Sequence, residues 1–574
     1  MTTVAEMIVT ALADEGVTQI WGVVGDALNP ITDAIRREDR IEWIGVRHEE
    51  VAAYAAGAQA QLSGTLGVCM GTVGPGSIHL LGGLYDAKKS HAPVLAICGQ
   101  VPTADIGSEY FQEVDNDAVF RDVAEFTATV TSVAQLPRMF EQAVNAAMSR
   151  PGVAVLTVPG DIAGAKVESG SPTPRFVSRS RTVVPGGAEL AEAADVLNGA
   201  EKVTLLVGVG AREARAEILQ IAERLSAPMV LTLKAKEALE QDNPFAVGQT
   251  GLIGNPAAHA ALAECDVLFM VGTDFPYTDW YPTGKTVIQL DRRLEHIGRR
   301  TAVDVSLVGH CQPALGVLLP LLENTPSDGH LETAQHHYQT WVERQHRLAD
   351  AGHDRKLLGR LRRHLDNPDE LIRPEAVAAA LDTHAADDAI FTTDTGMSTV
   401  WISRFLTLRG DRRLLGSYNF GSMANALPQA LGAQALDRNR QVIACCGDGG
   451  LMLLLGDLRT AVSYDLPVTF VVFDNGRLGM VKLEQEQGGL PEFGTVLDNP
   501  DLAAVAAAMG LESRRVTDPE ALNGVLAEAL SLRRPILLDV LTNPDEISIP
   551  PKPTVDQAWG FAIAKVKETL DSRG

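Results

Sequence analysis

Short apolar runs recur along the whole chain: GVCMG, VLAICG, VAVLTV, VTLLVGV, VLFMVG, VIACC and TFVVF. Between them lie longer stretches in which apolar and polar residues alternate with a helical period. Apolar runs this short, bounded by Gly, Pro and Asp, read as strands buried on both faces of a parallel sheet. The stretches between them read as crossover helices. The pattern predicts an α/β protein made of doubly wound parallel sheets. Residues 1–17, MTTVAEMIVTALADEGV, carry acids early and no basic segment ahead of an apolar one. They are expected to form an amphipathic helix of the fold, not a leader. No apolar run reaches the roughly 18 residues that a membrane span needs.

Two stretches break the pattern. Residues 166–187 (KVESGSPTPRFVSRSRTVVPGG) are polar and rich in Ser, Pro and Gly; residues 323–373 are mostly charged and helical, with a His-rich patch, TAQHHYQTW. Both read as connectors. They predict domains over 1–175, 185–325 and 370–545, followed by a short tail, 546–574. The total length suits about three domains of ~150–200 residues. The first and third domains share an internal order of strand, Gly turn, helix, Pro and strand. It runs through TLGVCMGTVGPGSIHLLGGLYDAKKSHAPVLAICG in one and RQVIACCGDGGLMLLLGDLRTAVSYDLPVTFVVFDNG in the other. Two domains of one architecture are therefore expected to flank a different middle one.

Charge narrows the partners. The net charge is −24 with no basic stripe, so nothing is available to neutralise a nucleic-acid backbone. With no membrane span either, a cytoplasmic location is expected. The six cysteines form no CxxC pair and sit mostly in strand-like runs, so buried reduced thiols are expected rather than disulfides or zinc.

The sharpest motif is GDGGLMLLLGDLRTAVSYDLPVTFVVFDNG, residues 447–476. One strand ends at Gly447-Asp448-Gly449, and the next ends at Asp474-Asn475-Gly476. Adjacent strand ends of an open parallel sheet share the crevice where ligands bind. Asp448 and Asn475 can therefore meet. One carboxylate and one amide oxygen form a sparse set, suited to Mg²⁺ that takes its other ligands from water and phosphates. The glycines let phosphates approach the backbone.

GDG followed at this distance by Asn resembles the diphosphate-binding motif of thiamine-diphosphate enzymes, which usually ends in Asn-Asn where this chain has Asp474-Asn475. The resemblance implies that Asp448, Asn475 and the backbone of Arg477 bind Mg²⁺, with Gly447, Gly449 and Gly450 at the diphosphate. It implies that Met423 supports the cofactor's bent shape and that Gly421 and Ser422 touch its phosphate or ring edges. Glu49, in RHEEVAAYAAGAQAQLSG, matches the glutamate that activates the cofactor from a neighbouring subunit. Read from the residues alone, such an acid merely favours a helix N-terminus. In the resemblance, it bonds the aminopyrimidine and favours the tautomer that deprotonates the thiazolium. Glu50 is expected to face solvent.

The middle domain opens with KVTLLVGVGAREARAEIL, where Gly208 and Gly210 begin a dinucleotide fingerprint that Glu213 leaves incomplete. Together with NPFAVGQTGLIG, GTDFPY, IGSEYFQE and GSMANALPQALGAQ, it resembles the pyruvate:quinone oxidoreductases and pyruvate oxidases over nearly the whole chain. The resemblance implies FAD held by Gly251, Leu252, Ile253, Gly254, Thr273, Asp274, Phe275, Pro276, Tyr277 and Asp291. It places His79, Phe111 and Gln112 of one subunit opposite Val481 and Glu484 of another. Met480 stands where membrane-activated relatives have a bulky residue that reorganises the site.

The reaction so implied is oxidative decarboxylation of pyruvate to acetate and CO₂, with electrons passing through FAD to a quinone. Oxygen as acceptor, acetyl phosphate as product and acetolactate synthase-like carboligation stand as alternatives. A non-catalytic relative is a further one, against which Glu49, Asp448 and Asn475 together argue. A site shared between subunits implies at least a dimer, and a tetramer is expected. The tail is only modestly apolar and predicts at most a weak peripheral membrane contact.

Overall fold

The computed structural model describes residues 2–168, 172–176, 182–325, 329–350, 367 and 370–546. The tail expected to bear on membrane contact lies, but for its first residue, outside the described residues. Three parallel sheets of six strands each organise the chain. The first holds β1 (Gln19–Gly22), β2 (Glu42–Gly45), β3 (Gly67–Gly71), β4 (Val94–Gln100), β5 (Ala124–Thr129) and β6 (Val153–Pro159). The second holds β7 (Val203–Val207), β8 (Met229–Leu231), β9 (Ala246–Gln249), β10 (Val267–Val271), β11 (Thr286–Asp291) and β12 (Val305–Val308). The third holds β13 (Ile390–Thr393), β14 (Arg413–Gly416), β15 (Val442–Gly447), β16 (Thr469–Asp474), β17 (Glu512–Val516) and β18 (Ile536–Leu541).

The strand orders are β2-β1-β3-β4-β6-β5 in the first sheet and β14-β13-β15-β16-β18-β17 in the third. These are the same order, as the repeated sequence pattern predicts. The middle sheet differs, running β12-β11-β10-β7-β8-β9. In each all-parallel sheet the order of strands turns back beside the first strand of the domain: between β1 and β3, between β7 and β10, and between β13 and β15. Crevices open beyond the carboxyl ends of strands at such switch points.

The first and third domains share one core. Helix Glu49–Ser63 packs on helix Ala426–Leu436, and both contribute to a common apolar cluster. Small residues set the distance between them: a Cβ on Gly432 would lie 2.3 Å from the Ala55 carbonyl oxygen. The seam also carries polar ties. The Tyr464 hydroxyl accepts from Gly45 N at 2.6 Å, and Asp457 Oδ1 accepts from Arg47 N at 2.9 Å.

The middle domain joins the third where Glu240 Oε2 accepts from Leu408 N at 3.0 Å and Gln241 Oε1 accepts from Gly410 N at 2.6 Å. The stretch expected to be a helical connector does contain a helix, His330–Leu348. It is more than a connector, because its His330 ring bonds Thr204 Oγ1 at 2.9 Å and Ala334 enters a middle-domain core. The opening stretch forms helix Val4–Asp14, closed by a capping box of Thr3 and Glu6. All six cysteines are free and buried. Among the described residues, no helix is long and apolar enough to cross a membrane.

Candidate active site

The third sheet's switch point carries a cleft of about 80 Å³, lined by residues that follow four strands. Thr395 and Gly396 follow β13, Gly447 ends β15 and Asp448 to Gly450 open the helix after it, Asn475 follows β16, and Thr542 follows β18. Asp448 and Asn475 thus face one space, because β15 and β16 pair in register up to Gly447 and Phe473. Met423, Met480 and Val481 close its sides. Arg477 N donates to Asn475 Oδ1 at 3.0 Å, which fixes the amide's direction.

Asp448 is 2% exposed, and Asn499 Nδ2 bonds its Oδ2 at 2.6 Å. Burial, with Asp474 close by, pushes its carboxyl up to about 7. A buried acid so disfavoured as an anion is one that a divalent cation would stabilise. No group of three or more His, Cys, Asp or Glu suited to a metal occurs among the described residues. The donor set here is one carboxylate, one amide and the Arg477 backbone. It fits Mg²⁺ completed by diphosphate oxygens and does not fit a metal held by protein alone.

Glu49 does not line this cleft. It begins helix Glu49–Ser63 after β2, is 8% exposed, and its Oε2 bonds His79 Nδ1 at 3.0 Å. The His79 ring stacks on His48, with centroids 4.6 Å apart. Gln112, in a left-handed turn at φ 67°, sets its carbonyl against Gly74 beside the same turn. Phe111 next to it is 79% exposed. Glu49, His79 and Gln112 therefore gather at the first sheet's switch point, away from Asp448 and Asn475 of the same chain. Glu50 does not face solvent as expected. It is half-buried against Gly82, and burial raises its carboxyl.

In the middle domain, a cleft of about 790 Å³ opens at the β7/β10 switch point. Gly210, Lys234, Asp274, Asp291, Arg292, Arg293 and His296 line it. The incomplete fingerprint has a packing reason: a Cβ on Gly208 would lie 2.3 Å from the Gly272 oxygen, so two backbones touch there. Asp291 closes β11, and its Oδ1 accepts from Arg293 N at 2.8 Å.

A second, apolar-walled pocket of about 130 Å³ continues from this cleft through Lys234 and Asp274. Leu252, Ile253, Phe275, Pro276 and Tyr277 line it, together with Gly421. Gly251 and Gly254 shape the turn behind it, and Gly254 N donates to Gly251 O at 3.0 Å. Thr273 is buried and accepts from Phe275 N. An elongated cleft with cations at one end and an apolar slot at the other fits a dinucleotide whose ring enters the slot.

The slot shares Thr395, Gly396 and Met480 with the cleft around Asp448, so the two adjoin. Glu484, exposed on helix Gly479–Gln487, is near enough to Tyr277 to act with burial in raising its phenol. Ser422 lines neither space; its hydroxyl donates to Met423 O at 3.0 Å.

Sequence reading missed several participants. Asp394 is buried beneath the cleft, accepting from Gly447 N at 3.1 Å and from Ala426 N at 2.9 Å, and burial pushes it up to about 7. Asn499, Lys234, Thr395, Gly396 and residues 417–419 were missed as well. The only signal for Asp394 is an acid closing a strand, in IFTTD.

Residues 2–119 match the N-terminal TPP binding domain of thiamine pyrophosphate enzymes, residues 190–318 their central domain and residues 394–540 their C-terminal TPP binding domain. The chain is 36% identical over 577 residues to YdaP of Bacillus subtilis (strain 168), described as thiamine pyrophosphate-containing, covering 100% of this chain and 97% of the relative. It is 31% identical to a pyruvate oxidase of Lactiplantibacillus plantarum, over 97% of this chain and 91% of that one. It is 32% identical to the acetolactate synthase isozyme 2 large subunit of Escherichia coli (strain K12), over 93% and 95% respectively. Matched in order through all three domains and over nearly the full length of such relatives, this chain belongs to the thiamine pyrophosphate enzyme family.

Proposed function

We propose that this protein oxidatively decarboxylates pyruvate to acetate and CO₂, with electrons passing through FAD to a quinone. The observation that carries the reading is the junction at Thr395, Gly396 and Met480, where the apolar slot of the middle domain opens beside the Asp448 cleft. A flavin held by the slot's residues would adjoin the space in which Asp448 and Asn475 would hold thiamine diphosphate. When bound, thiamine diphosphate supplies an electron sink for decarboxylation and FAD a two-electron acceptor.

The chain's own residues do the rest. Asp448, Asn475 and the Arg477 carbonyl would hold Mg²⁺ against the diphosphate, and Gly447, Gly449 and Gly450 leave room for it. Glu49 of a second subunit would hold a proton at the aminopyrimidine, kept in place by its bond to His79. Met480, Val481 and Phe111 would exclude water from the substrate, while the Gln112 amide would donate to its carboxylate and Glu484 would move a proton. The working unit is at least a dimer, most simply a tetramer, in the cytoplasm with at most peripheral membrane contact.

Relatives named as acetolactate synthases, at 29–32% identity, support a second reading in which FAD is present but not reduced. One anaerobic experiment separates the two. Pyruvate is added to the protein loaded with thiamine diphosphate, Mg²⁺ and FAD, and the flavin spectrum is followed. Bleaching with stoichiometric acetate is expected. An unbleached flavin with acetolactate formed would replace the oxidative reading with carboligation. Supplying quinone, oxygen or phosphate to the reduced enzyme then identifies the acceptor and the product.

A further inference from the structure

Asp274 stands where all three domains meet. It follows β10 and lines both the dinucleotide cleft and the apolar slot. Three side chains converge on its Oδ2. Lys234 Nζ of the same domain lies at 3.5 Å, His91 Nε2 of the first domain at 3.8 Å, and Asn419 Nδ2 of the third domain donates at 2.5 Å. Burial acts to raise this carboxyl, but the positive charges facing it, Lys234 foremost, outweigh burial and hold the group below its usual range.

His91 is itself pushed down to about 4 by burial and by Arg293. At neutral pH it is therefore an uncharged ring, and Lys234 is the closest cation balancing Asp274. His91 sits just beyond helix Leu81–Lys89 with φ 54°, a left-handed backbone uncommon outside Gly. From there its ring reaches the middle domain's His296, centroids 5.7 Å apart.

Asn419 belongs to a tied turn. Gly421 N donates to Ser417 O at 2.7 Å, and Ser422 N donates to Ser417 Oγ at 3.1 Å. Ser417, Tyr418, Asn419 and Gly421 line the apolar slot, whereas Met423, just past the turn, lines the Asp448 cleft. One short segment thus borders both spaces, and Asp274 grips it from the middle domain.

We infer that Asp274 is a positioning residue that clasps the three domains around the flavin and, through Asn419 and the 417–423 turn, links flavin occupancy to thiamine diphosphate binding. The inference rests on the proposed reading that FAD fills the middle-domain cleft. A clasp of this kind gives the two cofactor sites a coupling free energy that binding measurements read directly. The reciprocity of linked binding gives the means, because each cofactor must then tighten the other by the same factor.

The experiment measures the dissociation constant of thiamine diphosphate with Mg²⁺, by calorimetry, in the cofactor-free and FAD-saturated protein. Wild type, Asp274→Asn and Asn419→Ala are compared, and the thermal midpoint of each cofactor-free protein is recorded. FAD is expected to tighten thiamine diphosphate in wild type by on the order of 10-fold. In both variants that factor should fall toward one when measured at saturating FAD, even though both residues border the flavin site and FAD itself binds more weakly. A merely structural role would shift the midpoint and leave the factor alone. If Asp274→Asn does not fold or loses FAD, Asn419→Ala decides. An undiminished factor in the variants, or no coupling in wild type that binds FAD, would overturn the clasp. Wild type that binds no FAD would instead remove the functional reading, and the inference with it.

Discussion

Asp86 shows what a single buried carboxylate does at a domain seam. It is 2% exposed, its Oδ2 accepts from Gln429 Nε2 at 3.0 Å, and burial pushes it up to about 6. In the unfolded chain it titrates near its ordinary value, about 4. Between those two points the folded state holds the proton and the unfolded state has lost it. Stability from this group therefore falls as pH rises from about 4 to about 6, and stays lower above that. The full cost is on the order of 3 kcal/mol. Asp86→Asn should raise the unfolding free energy of the cofactor-free protein at pH ~7.5 and change it far less at pH ~4. Equal effects in urea titrations at both values would remove burial of the charge as the cause. Residues of this kind are where the sequence is silent. Asp86 in LYDAKK, Asp394 in IFTTD and Asn499 in LDNPD look like surface acids and turn formers. Their surroundings come from packing between segments tens to hundreds of residues apart: Gln429 lies 343 positions from Asp86, Gly447 lies 53 from Asp394 and Asp448 lies 51 from Asn499. Asp448 and Asn475 could be read as a pair because their motif sets them at adjacent strand ends, whereas Glu49 was singled out by the family resemblance alone.

At the scale of elements, period and punctuation carried most of the information. The strands that border the sites stand where apolar runs predict them, and the GDG and DNG turns mark two adjacent strand ends. Strand order was less legible. Nothing in IFTTD or RLLG says that β13 lies between β14 and β15, yet that order creates the cleft that Thr395 and Gly396 line. The pair of helices Glu49–Ser63 and Ala426–Leu436 is a middle case. Both are rich in alanine and glycine, which signals close packing without naming the partner. Gly432 is the point of nearest approach, so a larger residue must push the helices apart. Gly432→Val should destabilise the protein by roughly 1–3 kcal/mol through overpacking. It should also weaken thiamine diphosphate binding, since Asn425, beside helix Ala426–Leu436, donates to Thr393 O at 2.9 Å beneath the cleft. An unchanged melting temperature would mean that the seam can open without cost.

For the whole molecule, the two halves of the site point to different copies of the chain. The Arg47 amide bonds Asp457, so the Glu49 helix begins near the far end of the helical run that opens at Asp448. At about 1.5 Å of rise per residue, that run places the two acids on the order of 14 Å apart along it. Exposed apolar residues border both halves: Phe111 beside Gln112, and Leu453, Phe493 and Val496 around the Asp448 cleft. A two-fold dimer that buries these surfaces would bring Glu49 of each copy to the cleft of the other. Complementation tests this arrangement. Glu49→Gln alone and Asp448→Ala alone should each lose nearly all turnover, the first while still binding cofactors. Co-expressed, they assort into hybrid dimers in which one site carries both changes and the other carries neither. With random assortment about half the dimers are hybrids, each with one intact site of two, so about a quarter of wild-type activity should return. Sites contained within a single chain would return none, because every chain would remain defective. The recovered fraction, set against the hybrid content measured by native mass spectrometry, therefore reads directly whether a partner's carboxylate completes the site.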